Sequence, residues 1–360
     1  MQNMQDFKCP CCSGAIEWNS NVQKMKCPYC ETEFEMEALN ALNESAMAEQ
    51  PDNMEWNTQA GTEWSGGEAE NMSVYICESC GAEIVTDRTT AATTCPYCDN
   101  NIVMRGNVSG GLKPDMVIPF KLDKKAAKAG FEKHLKGKRL LPKIFRDENH
   151  IDEVKGVYVP FWLFDADANA NIRFLATRTK TWSDSEYVYR KTSYYNVLRG
   201  GNISFANIPV DGSSQMDDDL MDSIEPFNMA EAVDFNTAYL SGYLADKYDV
   251  DADQSIGRAN LRIKNSTEEA FRKTVQGYTT VTTQSSSVNT TNGRTRYALF
   301  PVWILNTTYK DKKYTFAMNG QTGKFVGNLP ICKNLLFKYL ATSFVGVSAI
   351  ATLISFLIML

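Results

Sequence analysis

Two sets of four cysteines constrain this chain more than any other feature. Cys9, Cys12, Cys27 and Cys30 follow the spacing C-x2-C-x14-C-x2-C, and Cys77, Cys80, Cys95 and Cys98 repeat it. A C-x2-C turn points two thiolates at one spot, and two such turns brought together complete a tetrahedral site. The second turn reads Cys-Pro-Tyr-Cys both times, and an isoleucine stands four residues beyond the second ligand both times (Ile16 and Ile84). The pattern is that of a duplicated zinc ribbon. Four thiolates leave no open coordination position, which predicts two structural zinc ions and no catalytic one. Ribbons this small bury little core, so metal binding, roughly 10–16 kcal/mol per site, is expected to fold them. Cys11 lies inside the first turn and reads as a bystander. Thioredoxin-like chemistry would need one such motif in a βαβ setting, not four in two matched pairs.

No apolar h-region precedes the cysteines, which predicts a reducing cytosol for this end, where C-x2-C pairs bind metal. Charge is unevenly spread. The net −6 of the chain divides into −12 over residues 1–105 and +6 over the remainder. Residues 44–72 hold seven acidic side chains and no basic one, with no apolar periodicity, and read as a flexible linker. The expected layout is ribbon 1 at 1–43, linker at 44–72, ribbon 2 at 73–105, an α+β body with antiparallel strands at 106–332, and a membrane anchor at 333–360.

Within the body, 124–136 reads as a helix with Ala127, Phe131 and Leu135 on one face. Asp251 or Asp253 is placed to cap a second helix running to about residue 275. Segments 156–173, 187–197, 297–309, 314–318 and 325–327 read as strands, with a turn at 319–323. The Ser/Thr/Asn-rich segment 279–292 reads as an exposed loop. Pro160-Phe-Trp-Leu-Phe-Asp165 echoes Pro301-Val-Trp-Ile-Leu-Asn306 after a helix-like stretch in each case. A duplicated unit and two unrelated tryptophan strands both fit that echo. Residues 339–360 carry no charge and, at about 1.5 Å per residue, span roughly 33 Å as a helix, enough for a hydrocarbon core. Lys333 and Lys338 on its N-terminal side predict a single-pass anchor in the cell membrane with the bulk in the cytoplasm.

Other polar groupings lack the chemistry they suggest. Asp165, Asp167, Asn169 and Asn171 would share one strand face, yet as a calcium loop they lack Gly at position six and Glu at twelve. Asp249, Asp251 and Asp253 fail in the same way. In Gly106-Asn-Val-Ser-Gly-Gly111-Leu112-Lys113, Leu112 stands where a phosphate loop needs its lysine. Neither His134 nor His150 has a nucleophile beside it, and Cys332 borders the membrane segment as a packing residue or a lipidation site. No catalytic residue is identified. Residues 113–146 contain eleven Lys and Arg against three acids, a net of +8. A solvated face, anionic lipid, nucleic acid and the acidic segment 44–72 all suit such a stretch.

The ribbon pair, Val157-Tyr-Val-Pro-Phe-Trp-Leu-Phe-Asp-Ala-Asp167, Tyr314-Thr-Phe-Ala-Met-Asn-Gly-Gln-Thr-Gly-Lys324 and the terminal helix together resemble the bacterial TFIIB-type zinc-ribbon membrane proteins, over essentially the whole chain. Some members carry a primosomal helicase-like label, and some are encoded beside phage-shock protein A and an SPFH-domain protein. The resemblance implies a membrane adaptor in envelope stress that docks such cytosolic proteins. It carries over the eight cysteines as metal ligands and no catalytic residue. A nucleic-acid-binding protein and an enzyme of unknown type in the α+β body are the alternatives. The acidity of both ribbons argues against phosphate binding through them.

Overall fold

Alternation decides the architecture of the body. Between residues 166 and 172, Ala166, Ala168, Ala170 and Ile172 are buried while Asp167, Asn169 and Asn171 are exposed, a period of two that a strand satisfies. The structure, a computed structural model, describes residues 9, 14–39, 51–87, 94–108, 111–142, 145, 154–310 and 312–359.

Four short strands come first, β1 Glu17–Asn19, β2 Lys24–Lys26, β3 Glu33–Phe34 and β4 Asn53–Asn57. Helix α1 Gly66–Glu70 precedes β5 Met72–Ile76, β6 Glu83–Asp87, β7 Val103–Asn107 and β8 Met116–Val117. Helix α2 Lys124–Leu135 leads to the long pair β9 Lys155–Ser183 and β10 Val188–Asp211. After α3 Asp218–Ile224 come β11 Val233–Asp234, β12 Leu244–Asp246 and α4 Ala252–Lys273. Strands β13 Thr280–Tyr309, β14 Lys312–Asn319 and β15 Phe325–Gly327 and helix α5 Lys333–Met359 complete the order.

These elements build two compact units. One comprises Met1–Gln59, Phe164–Ile208 and Ile256–Thr295. It holds the antiparallel sheet β1-β2-β3 and, separately, a core of Ala168, Ile172, Phe174, Ile263 and Val288. The other comprises Ala60–Leu163, Pro209–Ser255 and Arg296–Leu360. Its mixed sheet runs β11-β8-β13-β9-β12-β6-β5-β7, with β14 on β13 and β15 on β14. Phe161, Leu163, Phe300, Val302 and Ile304 fill one core there, and Phe131, Leu135, Trp303 and Phe316 a second.

The units do not follow the boundaries read from the sequence. Ribbon 2 is not a separate module, because Cys77, Ile84, Cys95, Tyr97 and Ile102 lie in the same core as Phe161 and Phe300. The 106–332 body is divided between the units, because β9 and β13 (29 and 30 residues) are long enough to enter both cores. The expected linker is structured over 51–72; residues 44–50 lie outside the described residues. Two of its acidic side chains, Asp52 and Glu68, serve as partners. Asp52 accepts from the Val288 amide (2.9 Å) and pairs with Lys264 (2.5 Å), and Glu68 pairs with Lys113 (2.7 Å). The expected loop 279–292 is mostly strand. Its Ser and Thr residues suit a pleated surface, and β4 pairs parallel to it at Asn289 and Thr290.

The two Trp motifs are equivalent in detail. Strand β8 lies parallel to β13 with Met116 and Val117 opposite Ala298 and Leu299; β12 lies parallel to β9 with Leu244 and Ala245 opposite Val157 and Tyr158. Both registers fall three and two residues before the motif proline. Trp303 donates to the Leu122 carbonyl (3.0 Å) and Trp162 to that of Val250 (2.8 Å), each just ahead of an aspartate that caps a helix. The amides of Gly320 and Gly212 donate to Pro301 and Pro160 at 2.8 Å each. A Cβ at Gly320 would stand 2.7 Å from Phe120, and one at Gly212 would stand 2.9 Å from Trp162, so both positions require glycine. This is a duplicated β-α-β-β unit, and each copy's β-α arm lies on the other copy's long strand.

Helix α5 is long and apolar enough to span a membrane. It carries no charge from Tyr339 onward, and Phe344 and Ile358 are 74% and 79% exposed.

Candidate metal centres

The three cysteine turns among the described residues that begin at Cys27, Cys77 and Cys95 are built by the same backbone bonds. The Cys77 amide donates to Ala82 O (3.0 Å) and the Gly81 amide to Cys77 O (2.8 Å). The Cys95 and Asp99 amides repeat the pattern with Asn100 O and Cys95 O, and those of Cys27 and Glu31 with Thr32 O and Cys27 O. The residue after the second cysteine therefore sits in the left-handed region, at φ +80° for Gly81, 60° for Asp99 and 58° for Glu31. That turn aims both thiols of a pair to one side.

Cys77, Cys80, Cys95 and Cys98 converge with all four sulfurs within 4.8 Å of one another. The Cys77–Cys98 and Cys80–Cys95 separations are 3.3 and 3.6 Å. A tetrahedron with bonds of about 2.3 Å has S···S edges of about 3.8 Å, so the cluster could hold a metal ion with little adjustment. Its donor set suits zinc or an iron–sulfur centre and leaves no position for substrate. Cys9, Cys27 and Cys30 form a second cluster, with Cys9 and Cys30 sulfurs 3.5 Å apart. Cys11 and Cys12, the latter the expected fourth ligand, lie outside the described residues.

Local bonds divide the thiols electrostatically. Burial pushes Cys98 up, but the Asn100 amide and side chain and the neighbouring thiols outweigh it and leave it at about 6. Cys30 is likewise pushed up by burial and brought to about 6 by Thr32, Cys27 and Cys9. Burial raises Cys80 to about 11 and raises Cys95 further still. A bound cation would favour the thiolate at all of them.

The surroundings of the two centres differ. The first has a small core of its own, in which Ile16, Met25, Leu39 and the cysteines pack across β1, β2 and β3. The second is clamped from the long strands. Asn306 donates to the carbonyls of Pro96 (2.7 Å) and Tyr97 (3.1 Å) and accepts from Thr315 (2.9 Å). Lys155 donates to Cys95 O (2.9 Å) and to Asp99 (2.8 Å). Tyr97 is buried beside Asp246, which accepts from Ser213 (2.5 Å). Burial pushes the Asp246 carboxyl up to about 7, against the hydrogen bond from Ser213. Asn306, Lys155 and Asp246 were not among the expected site residues. Asn306 does end the Trp303 motif, and that echo was the one available signal.

The remaining polar groupings are accounted for locally. Asp167 accepts from Ser204 (2.6 Å) and Asn292 (2.9 Å), and Asn169 donates to Asn202 (2.7 Å), as a polar strand face would. Asp249 accepts from the Ser214 amide (2.7 Å), and Asp251 caps α4 through the Gln254 amide (2.8 Å). His134 stands against Phe325 and Lys138, while His150 lies outside the described residues.

No family model and no solved structure matches the chain. Among curated proteins, it is 36% identical over 231 residues to "Uncharacterized protein YdjG" of Bacillus subtilis (strain 168). The alignment covers 64% of this chain and 68% of the relative. The chain therefore belongs to the same protein family as YdjG.

Proposed function

We propose that the chain is a membrane-anchored zinc adaptor that docks cytosolic proteins at the membrane. Zinc fills both cysteine centres as a structural ion, α5 spans the bilayer, and the bulk of the chain lies in the cytoplasm. The observation that carries this reading is the exposure of Tyr29. It stands 76% exposed in the first Cys-Pro-Tyr-Cys turn, on a module that also exposes Trp18 (49%) and Val22 (41%). Large apolar side chains on a metal-folded module are suited to anchoring a partner, with Glu17, Glu31 and Glu33 exposed as an acidic rim. The resemblance to the zinc-ribbon membrane proteins supplies the candidates, SPFH-domain or phage-shock protein A-like proteins in envelope stress.

The test is affinity capture from solubilised membranes with the wild-type chain, Tyr29→Ser and Cys27→Ser/Cys30→Ser. The adaptor loses a defined set of partners in both variants. If every partner persists in both, the first module is not the docking surface. A shared loss of bound nucleic acid instead of protein would favour the replication- or transcription-type alternative.

A further inference from the structure

The strongly basic stretch meets the apolar helix at its foot. The Cys332 amide donates to Leu140 O (2.9 Å), and the Leu336 amide closes the first turn of α5 onto Cys332 O (3.0 Å). The turn that follows α2 is thereby tied to the start of α5. Helix α2 turns Ala127, Phe131 and Leu135 into the core and leaves Lys133 exposed, and the chain continues through exposed Lys136 and Arg139. These cations line an open groove of about 640 Å³ with Ala129 and Leu135 as its apolar part and Glu132 as its one acid. Lys138 is engaged with His134 at 2.9 Å. Lys133, Lys136 and Arg139 have no carboxylate partner among the described residues. Lys333 adds a further exposed cation where the apolar run of α5 begins, and Ile331 (61%), Phe337 (70%) and Tyr339 (41%) are exposed in the same stretch of chain.

Arg139 of this groove is followed directly by Leu140, whose carbonyl holds the start of the apolar, exposed α5, so the fold offers a cationic and an apolar surface to one ligand. Phosphate oxygens suit the lysines and the planar guanidinium of Arg139, and acyl chains suit the flank of α5. Long basic side chains also lay their methylene stems on apolar surface while keeping the charge at the headgroup level. We propose that Lys133, Lys136 and Arg139 form a headgroup site for an anionic phospholipid at the foot of α5. The site rests on the reading of α5 as a membrane anchor and makes the anchor selective for the lipid around it.

The test uses the full chain in a neutral detergent, with thermal unfolding followed on addition of short-chain phosphatidylglycerol, short-chain phosphatidylcholine, glycerol phosphate or a short DNA duplex. Phosphatidylglycerol raises the midpoint by about twice as much as phosphatidylcholine or more, as expected for paired cations at a bilayer surface. The variant Lys133→Ser/Lys136→Ser/Arg139→Ser unfolds at the wild-type temperature without lipid and loses that excess. Should it unfold early, Arg139→Ser alone carries the test and loses part of the excess. Equal responses to the two lipids, or an undiminished excess in both variants, overturn the site. A full shift from glycerol phosphate or from DNA overturns the lipid assignment in favour of a soluble anion or a nucleic acid. Alkaline extraction of native membranes separates the underlying reading, because wild-type chain released by carbonate overturns the anchor itself.

Discussion

The same four residues, Cys-Pro-Tyr-Cys, make an outward-facing turn at one centre and a core turn at the other. Tyr29 is 76% exposed, whereas Tyr97 is 3% exposed. Their backbone bonds match, so the difference arises beyond the turn. At the first centre the turn closes on β1, β2 and β3 and a few apolar side chains of its own. At the second, β6 continues into the mixed sheet through β12, with Asp246 opposite Ile84, and Asn306 and Lys155 reach in from the long strands. One copy of a repeated cysteine turn thus stands at the surface, while the other is part of a core. The exposed copy suits a partner, and the buried copy suits structural support.

The contrast breaks most readily at the cysteines. Substituting Cys95 and Cys98 by Ser should remove a metal site built into the main core, and with it roughly 10 kcal/mol or more of folding energy. The expected outcome is aggregation or loss of cooperative unfolding on calorimetry. Substituting Cys27 and Cys30 should halve the bound metal measured by elemental analysis and leave the main unfolding transition in place.

A pH series sharpens the same contrast at Asp246. Its folded-state value of about 7 lies above that of an unfolded carboxyl. The folded chain therefore holds the extra proton between about pH 4 and 7, and stability falls as pH rises through that window. Asp246→Asn removes this dependence. Its advantage over the wild type in denaturant titrations should grow from near zero at the acid end to as much as about 3–4 kcal/mol by pH 8.

Asn306→Ala should cost about 2–3 kcal/mol by denaturant titration, because it leaves the Pro96 and Tyr97 carbonyls buried and unpaired. The smallest effect is expected at the exposed copy. Tyr29→Ala should change stability by about 0.5 kcal/mol or less, as for an exposed side chain, with its consequence confined to partner capture.

Much of this was legible from local patterns. Cysteine spacing predicted both clusters, the stripe of Ala127, Phe131 and Leu135 predicted α2, Asp251 was one of two aspartates placed to start α4, and the uncharged terminal run predicted α5. The fates of Tyr29 and Tyr97 were not legible, since identical tetrapeptides carry identical local preferences. What separates them is Asn306, more than two hundred residues away in the chain. The segment 279–292 misled because Ser and Thr suit loops and polar strand faces equally well. The duplication was half visible. The Trp echo pointed to it, but the equivalence of Leu122 with Val250 shows only in the bonds their carbonyls accept from Trp303 and Trp162.

Graded chelation followed by hydrogen-exchange mass spectrometry tests the central claim, that the two centres differ in how far they are coupled to the fold. The first metal to leave should expose amides only within residues 14–39. Loss of the second should expose β5, β6, β7 and β12 together. Simultaneous release of both metals, or release of the second with β6 and β12 still protected, would contradict the account.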